Sequence, residues 1–316
     1  MAFNPNEFIE QSIEELKKLD GTAIIAVSGG VDSTVCAVLA NSALGPKLKP
    51  IFVDTGFLRK GEVEQVKKVF KELGISIVIV EASKEFFACL KGVIDPEEKR
   101  KKIGGMFIRV FEKEAKHLNA KYLIQGTIAP DWIESGSGIR DTIKSHHNVG
   151  GLPTQMNLIV VEPIRDLYKD EVRAIAKELA VPKDPAWKQP SPGPGLAIRV
   201  IGEVTREKVA LCREANAIVM DELFKAFEFG EMELPQQYFA VLLETKTTGV
   251  QGDVRAYGHT IAIRSVETKD LMTVEYSKIP HTVLHRISLR ITNELKQINR
   301  VLYDVTHKPP ATVEFE

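Results

Sequence analysis

Few cysteines, no long apolar run and no surplus of either charge mark the 316-residue sequence. Cys36, Cys89 and Cys212 have no metal-ligand spacing and leave one thiol over in any disulfide scheme. That usage fits a reducing cytosol rather than a disulfide-stapled secreted chain. No uncharged apolar stretch reaches the ~18 residues of a membrane span. Residues 1–20 are acidic and amphipathic, without the apolar centre of a signal peptide or the Arg-rich pattern of a transit peptide. Lys and Arg number 42 against 43 Asp and Glu, a net charge of −1, so there is no bulk basic footprint for nucleic acid. These absences imply a cytoplasmic chain with neither nucleic acid nor membrane as partner. Its length allows about two domains at ~100–200 residues each.

One further absence is local. Ser28-Gly29-Gly30-Val31-Asp32-Ser33 follows the apolar run Ala23-Ile24-Ile25-Ala26-Val27 and opens into a helix-forming stretch from Thr34. A strand, a glycine turn and a helix start make an anion site, because unpaired helix N–H groups point at the turn. Gly29 and Gly30 let backbone approach an anion with no Cβ between them. Ser28, Ser33 and Thr34 add hydroxyls, and Asp32 can cap the helix or hold a magnesium ion through water. A Walker P-loop carries a Lys after its last Gly, whereas here the next residue is Val31.

Strands rich in Ile, Val or Leu are read at 22–28, 49–55, 75–81, 120–126 and 157–163, with helices near 32–44, 61–73, 97–118 and 168–180. That alternation predicts an α/β fold, a parallel twisted sheet with helices on both faces. Ligands on such sheets lie beyond the strand C-termini at the topological switch point, which brings Val53-Asp54 beside the glycine turn. Residues 128–156 have little periodicity and four glycines, and a loop this long is functional or disordered. Its Lys144, His146 and His147 suit a lid that closes over phosphates and excludes water. Five prolines between 182 and 194 mark a stiff connector. The division expected is 1–188 and 189–316, the second a smaller α+β domain. There the sequence predicts a strand at 196–203, a helix from Arg206 to about Phe229, strands at 238–244 and 258–266, a helix at 282–298 and a strand at 300–305. Gly249 and Gly252 are read as marking exposed turns.

The glycine loop resembles the PP-loop of the ATP pyrophosphatases, which cut ATP between its α and β phosphates. Other segments resemble one family within them, the GMP synthetases: Asp95-Pro96-Glu97-Glu98-Lys99-Arg100-Lys101, Pro192-Gly193-Pro194-Gly195-Leu196-Ala197-Ile198-Arg199, Gly249-Val250-Gln251-Gly252-Asp253-Val254-Arg255 and Lys308-Pro309-Pro310-Ala311-Thr312. Ser191 stands where the family usually has an aromatic, Lys188-Gln189 where it has Arg-His, and Phe315 where it has Trp. The resemblance implies ATP binding by Ser28, Gly29, Gly30, Val31, Asp32, Ser33, Thr34, Val53 and Asp54. It implies xanthosine monophosphate (XMP) binding by Arg100, Gln237, Asp253, Arg255, Lys308, Thr312, Val313 and Glu314, and catalytic roles for Lys144, His146, His147 and Asp32. Mg²⁺ is the implied metal, with Asp32 its ligand, and ATP the co-substrate. The implied reaction makes GMP from XMP, ATP and ammonia through an adenylylated intermediate. The chain is similar to the synthetase component of the two-chain form, whose partners are a glutaminase subunit and a second copy joined through the C-terminal domain. Two other readings remain open on the sequence: a PP-loop tRNA-thiolating enzyme and a non-catalytic nucleotide sensor.

Overall fold

The computed structural model describes residues 3–130, 158–182, 189, 191–268 and 273–316. Lys144, His146 and His147 lie outside these described residues, as does most of the expected lid. Two compact units emerge. The first comprises Met1–Thr55, Gly61–Ser83 and Ile103–Lys188; the second comprises Gly56–Lys60, Lys84–Lys102 and Gln189–Glu316.

Unit 1 holds a five-stranded, wholly parallel sheet. Its strands are β1 (Ala23–Ala26), β2 (Leu48–Asp54), β3 (Val78–Glu81), β4 (Tyr122–Ile124) and β5 (Ile159–Val161), in the order β3-β2-β1-β4-β5. The helices are α1 (Pro5–Leu16), α2 (Val31–Leu44), α3 (Glu62–Glu72), the later part of α5 (Pro96–His117) and α6 (Lys169–Glu178). Ile24, Ile25, Val35, Leu39, Ile51 and Phe70 are fully or almost fully buried. Chain order steps outward from β1 through β2 to β3 and then resumes on the other side with β4. The switch point is therefore the pair of C-terminal ends of β1 and β4, where such sheets bind ligands.

Unit 2 is built on β6 (Gln237–Gln251), β7 (Val254–Thr268), β8 (Val274–Tyr276) and β9 (Ile298–Tyr303), with α7 (Arg206–Glu228) and α8 (His281–Glu294). The strands β6, β7 and β8 run antiparallel, and β9 joins β7 in parallel. Helix α7 ties to the sheet through Asn216, whose Oδ1 accepts the Ala240 N–H at 3.2 Å. Unit 2 also contains α4 (Ser83–Cys89) from Lys84 onward and the first residues of α5. Arg213 secures the short 56–60 segment, donating to the carbonyls of Gly56 at 2.6 Å and Leu58 at 2.8 Å.

Several expected elements differ. The strand read at 196–203 is a 3-10 turn over Gly195–Arg199, followed by one bridge residue, Val200, opposite Leu242. Gly195 has φ +62°, and a Cβ there would lie 2.5 Å from the Phe57 carbonyl oxygen, so the backbone is bent by a close approach that an apolar pattern does not reveal. The turns read around Gly249 and Gly252 reduce to one. Gly252 and Asp253, with φ +55° and +64°, connect two fifteen-residue strands. Gly249 is a packing position instead, since a Cβ there would come within 2.9 Å of Asn299. The short α4 and β8 had no legible periodic signal. Among the described residues, no helix is long and apolar enough to cross a membrane.

Candidate nucleotide sites

In unit 1 the loop between β1 and α2 occupies the switch point. Gly29 takes φ +80°, where L side chains are strained, and Gly30 is the helix N-cap at φ −77° and ψ 158°. No side chain caps α2, so its first-turn N–H groups are left for a ligand. Hydroxyls shape the loop. Ser33 Oγ and Thr34 Oγ1 donate to the Gly30 carbonyl at 3.0 and 2.9 Å, while Ser28 Oγ lies 3.2 Å from Ser33 Oγ and accepts the Gly30 N–H at 3.3 Å. These bonds are internal to the loop, so the hydroxyls act first as a scaffold.

The other side of the switch point is Gln125-Gly126-Thr127. A Cβ on Gly126 would sit 3.2 Å from the Asp32 carbonyl carbon and the Ser33 nitrogen. Only a glycine lets the β4 exit lie this close against the start of α2. Asp32 and Thr127 both have charged or acidic partners nearby. Lys169 Nζ, at the start of α6, donates to Asp32 Oδ2 at 2.5 Å, and Thr127 Oγ1 donates to Glu162 Oε1 at 2.5 Å. Asp32 Oδ1 is buried with no hydrogen-bond partner among the described residues. Val53 and Asp54 close β2, next to β1 in the sheet. The ATP-binding set expected from the sequence thus converges on one sheet end, and Lys169 and Gly126 join it unforeseen. Nothing local distinguishes Lys169 in the sequence, because its partner is 137 positions away.

Among the described residues, no group of three or more His, Cys, Asp or Glu is arranged to hold a metal ion. The orphaned Asp32 Oδ1 nevertheless fits Mg²⁺, which keeps most of its six ligands as waters and substrate phosphates and takes one or two carboxylates from protein.

Unit 2 gathers a second set. The terminal segment is held by three cations whose side chains are almost wholly buried, Arg264, Arg199 and Lys99. Arg264 donates to the carbonyls of Thr306 at 2.6 Å and Thr312 at 2.9 Å. Val313 packs against Phe239, Val241 and Ala262. Arg199 forks onto both carboxylate oxygens of Glu314, at 3.1 and 2.8 Å. Lys99 pairs with the Glu316 carboxylate and donates to the Val200 carbonyl at 2.9 Å, and Arg100 donates to the Glu316 carbonyl. Burial pushes the Lys99 ammonium pKa down and the Glu316 carboxyl pKa up, while their ion pair opposes both shifts. Lys308 exchanges two backbone hydrogen bonds with Val274 in β8. Arg100, Lys308, Thr312, Val313 and Glu314 therefore belong to one interlocked region, and Gln237 opens β6 at the edge of the same sheet. Asp253 and Arg255 do not join it. They are exposed at the β6–β7 tip, where Arg255 is seven positions along β7 from Ala262, or about 23 Å at ~3.3 Å per residue.

Residues 228–315 match the family model for the GMP synthase C terminal domain, and residues 4–108 match that for NAD synthase. The chain is 58% identical over 312 residues to a subunit of the glutamine-hydrolyzing GMP synthase of Thermococcus kodakarensis, an alignment covering 98% of this chain and 99% of the relative. The chain belongs to the GMP synthase family. The corresponding subunit from Methanopyrus kandleri is 56% identical over 317 residues, covering 99% of this chain and 100% of that one. A glutamine-hydrolyzing GMP synthase of Clostridium botulinum, named as a whole enzyme, is 53% identical over 98% of this chain, which spans 61% of that protein. Among solved structures, an NMN synthetase from Francisella tularensis matches with TM-score 0.48 at 18% identity, over 66% of this chain and 85% of its own. Membership of the GMP synthase family accounts for the order of the motifs along the chain, from the glycine loop to the terminal Lys308-Pro309-Pro310.

Proposed function

We propose that the chain makes GMP from XMP, ATP and ammonia, as the synthetase partner of a separate glutaminase subunit in the cytoplasm. The observation that carries this reading is the uncapped helix start at the sheet switch point, with Lys169 and Asp32 beside it. The xanthine O2 attacks the α phosphorus of ATP, and pyrophosphate leaves. Ammonia then adds at C2 of the adenylylated purine, and AMP departs.

The α2 amides, shaped by Ser28, Ser33 and Thr34, would grip the β and γ phosphates, with Val31 continuing the turn. Lys169 would exchange Asp32 for phosphate oxygen as charge develops on the leaving pyrophosphate. Such positioning and electrostatic stabilisation is most of what phosphoryl-type transfer asks of a protein. Asp32 would hold Mg²⁺, which supplies Lewis-acid polarisation of the phosphates when bound. Val53 and Asp54 would take the adenosine end. Lys144, His146 and His147 are proposed as the lid's charge-neutralising groups.

Arg100, Gln237, Lys308, Thr312, Val313 and Glu314 would hold XMP, the guanidinium of Arg100 suiting its phosphate. Asp253 and Arg255 stay in this set only by way of a second copy, since the ribbon tip lies so far from the tail along β7. The exposed Val250, Val254 and Tyr257 on that ribbon favour a homodimer through unit 2. Incubating the chain with ATP, Mg²⁺, XMP and ammonium tests the proposal. GMP and AMP in equal amounts are expected, and AMP release without GMP, or neither product, would refute it.

A further inference from the structure

The charge pair between Arg199 and Glu314 in unit 2 is a two-pronged fork. The Arg199 side chain is 4% exposed, at the end of the 3-10 turn that Gly195 begins. Its guanidinium carbon stands 3.9 Å from the centroid of the Phe239 ring, itself buried. Stacking below and two N–H···O bonds beyond fix the carboxylate plane of Glu314, which a Lys at this position would not do. The backbone leading into Glu314 is also held: Val313 packs against the cluster of Phe239, Val241 and Ala262, and the Thr312 carbonyl accepts from Arg264. Yet the Glu314 side chain keeps 19% of its surface. Each carboxylate oxygen has two lone pairs, of which Arg199 takes one, so the exposed side retains acceptor capacity. A carboxylate repels phosphate and accepts from hydroxyl or N–H groups.

We propose that Arg199 is a positioning residue that, braced by Phe239, holds Glu314 as a fixed acceptor for the hydroxyl or N–H groups of the acceptor nucleotide, leaving the phosphate to Arg100. This inference rests on the XMP-binding reading of the tail. It makes Glu314 a reader of the sugar or base rather than of the phosphate, and it gives the buried Arg199–Phe239 stack a functional purpose beyond packing.

Steady-state kinetics of Arg199→Lys, Glu314→Gln, their double variant and Phe239→Leu test it, with XMP and ATP varied separately and thermal melts alongside. Arg199→Lys and Glu314→Gln should each raise KM for XMP by ~10-fold or more, as expected when a charge-assisted hydrogen bond is lost. KM for ATP should stay within about twofold, since no ATP contact is touched. The double variant should be no worse than the worse single, because both changes remove one interaction. Phe239→Leu, which keeps the fork but loosens its brace, should raise KM for XMP by less, and it carries the test if Arg199→Lys fails to fold. A fall in kcat with KM for XMP unchanged, equal rises for both nucleotides, or additive effects in the double variant would overturn the proposal. A wild-type chain that makes no GMP would instead overturn the functional reading, before any variant is compared.

Discussion

Lys169→Ala separates a catalytic charge from a structural one. The ion pair it removes is short, 2.5 Å, but its side chains are 43% and 25% exposed. In water-like surroundings two charges at that distance attract by only ~1.7 kcal/mol, and measured exposed pairs net ~0–1 kcal/mol after entropy and screening. Two dipole effects work on the remainder. Lys169 is the first residue of α6, where a cation is disfavoured by ~0.3–1 kcal/mol. Asp32 lies in the first turn of α2, where an anion gains a similar amount whether or not Lys169 is present. The folded state should therefore lose no more than ~1 kcal/mol. Turnover should fall much further, by ~10²-fold or more, if Lys169 stabilises the departing pyrophosphate as a positioned charge. Pyrophosphate release at saturating XMP, set beside urea melts of the same preparations, gives both numbers. Pyrophosphate release within about threefold of wild type, with an unchanged KM for ATP, would refute the reasoning and leave Lys169 as a plain surface partner of Asp32.

Gly126→Ala should press on the Asp32–Ser33 backbone, 3.2 Å from the new Cβ, costing ~1–3 kcal/mol as overpacking; KM for ATP should rise with KM for XMP little changed, and an unaltered KM for ATP would mean that the β4 exit does not shape the loop. Gly105 lies inside α5, where a Cβ would meet only the Arg109 Nη2 tip at 3.9 Å, so Gly105→Ala should stabilise the chain by ~0.5–1 kcal/mol in a urea titration; destabilisation would show that this glycine is needed for more than its lack of a side chain. Asp20 accepts from Lys121 at 2.5 Å and from Tyr122 at 2.7 Å, and these hydrogen bonds lower its pKa from 3.8 to about 2. Its stabilising effect is thus present above about pH 4 and vanishes as pH falls through about 2. Asp20→Asn should lower the melting temperature near neutrality and make no difference at the acid end, and an equal loss at both would remove the linkage argument.

Much of unit 1 was legible because its signals are local. Five Ile-, Val- and Leu-rich runs separated by helical stretches give a parallel sheet, and one glycine turn after the first strand marks the ligand end. Unit 2 was harder where conformation depends on distant contacts. Leu196-Ala197-Ile198-Arg199-Val200 is apolar enough for a strand, and short apolar runs do not distinguish strand from turn by periodicity. What decides it is the approach of Gly195 to the Phe57 carbonyl, across more than a hundred residues. Gly249 reads as a turn for a similar reason, since the Asn299 side chain that demands its missing Cβ is fifty positions away. Lys169 and Arg199 were invisible as functional groups because single charges in a sequence carry no address. Arg100 and the tail were legible only through resemblance, and their interlocking through Glu316 and Glu314 became visible in three dimensions.

The source of the amine is the remaining chemical question, and the thiols of this chain bear on it. Releasing ammonia from glutamine takes a thiolate, formed beside a base and open to substrate. Cys36 is buried in α2, where desolvation and the Asp32 charge drive its pKa well above that of a free thiol. Cys212 is buried in α7, its pKa pushed up to about 11 by desolvation, and its Sγ donates to the carbonyl of Arg199 at 3.4 Å. Cys89 ends α4 with its Sγ donating to the Phe86 carbonyl at 3.1 Å. Two of the three thiols are sealed in the core and the third donates within its own helix, so the chain should make GMP with ammonium salts and not with glutamine. Because NH₃ rather than NH₄⁺ attacks C2, the ammonium-driven rate should climb with pH as the amine deprotonates. Supplying a glutaminase subunit should restore glutamine use near neutrality, where free NH₃ is scarce, and should flatten that pH dependence. Triple replacement of Cys36, Cys89 and Cys212 by Ala or Ser should leave the ammonium-driven rate standing in whatever fraction folds. Glutamine-dependent GMP formation by the purified chain, abolished by substituting any one of these cysteines while ammonium use persists, would defeat the argument.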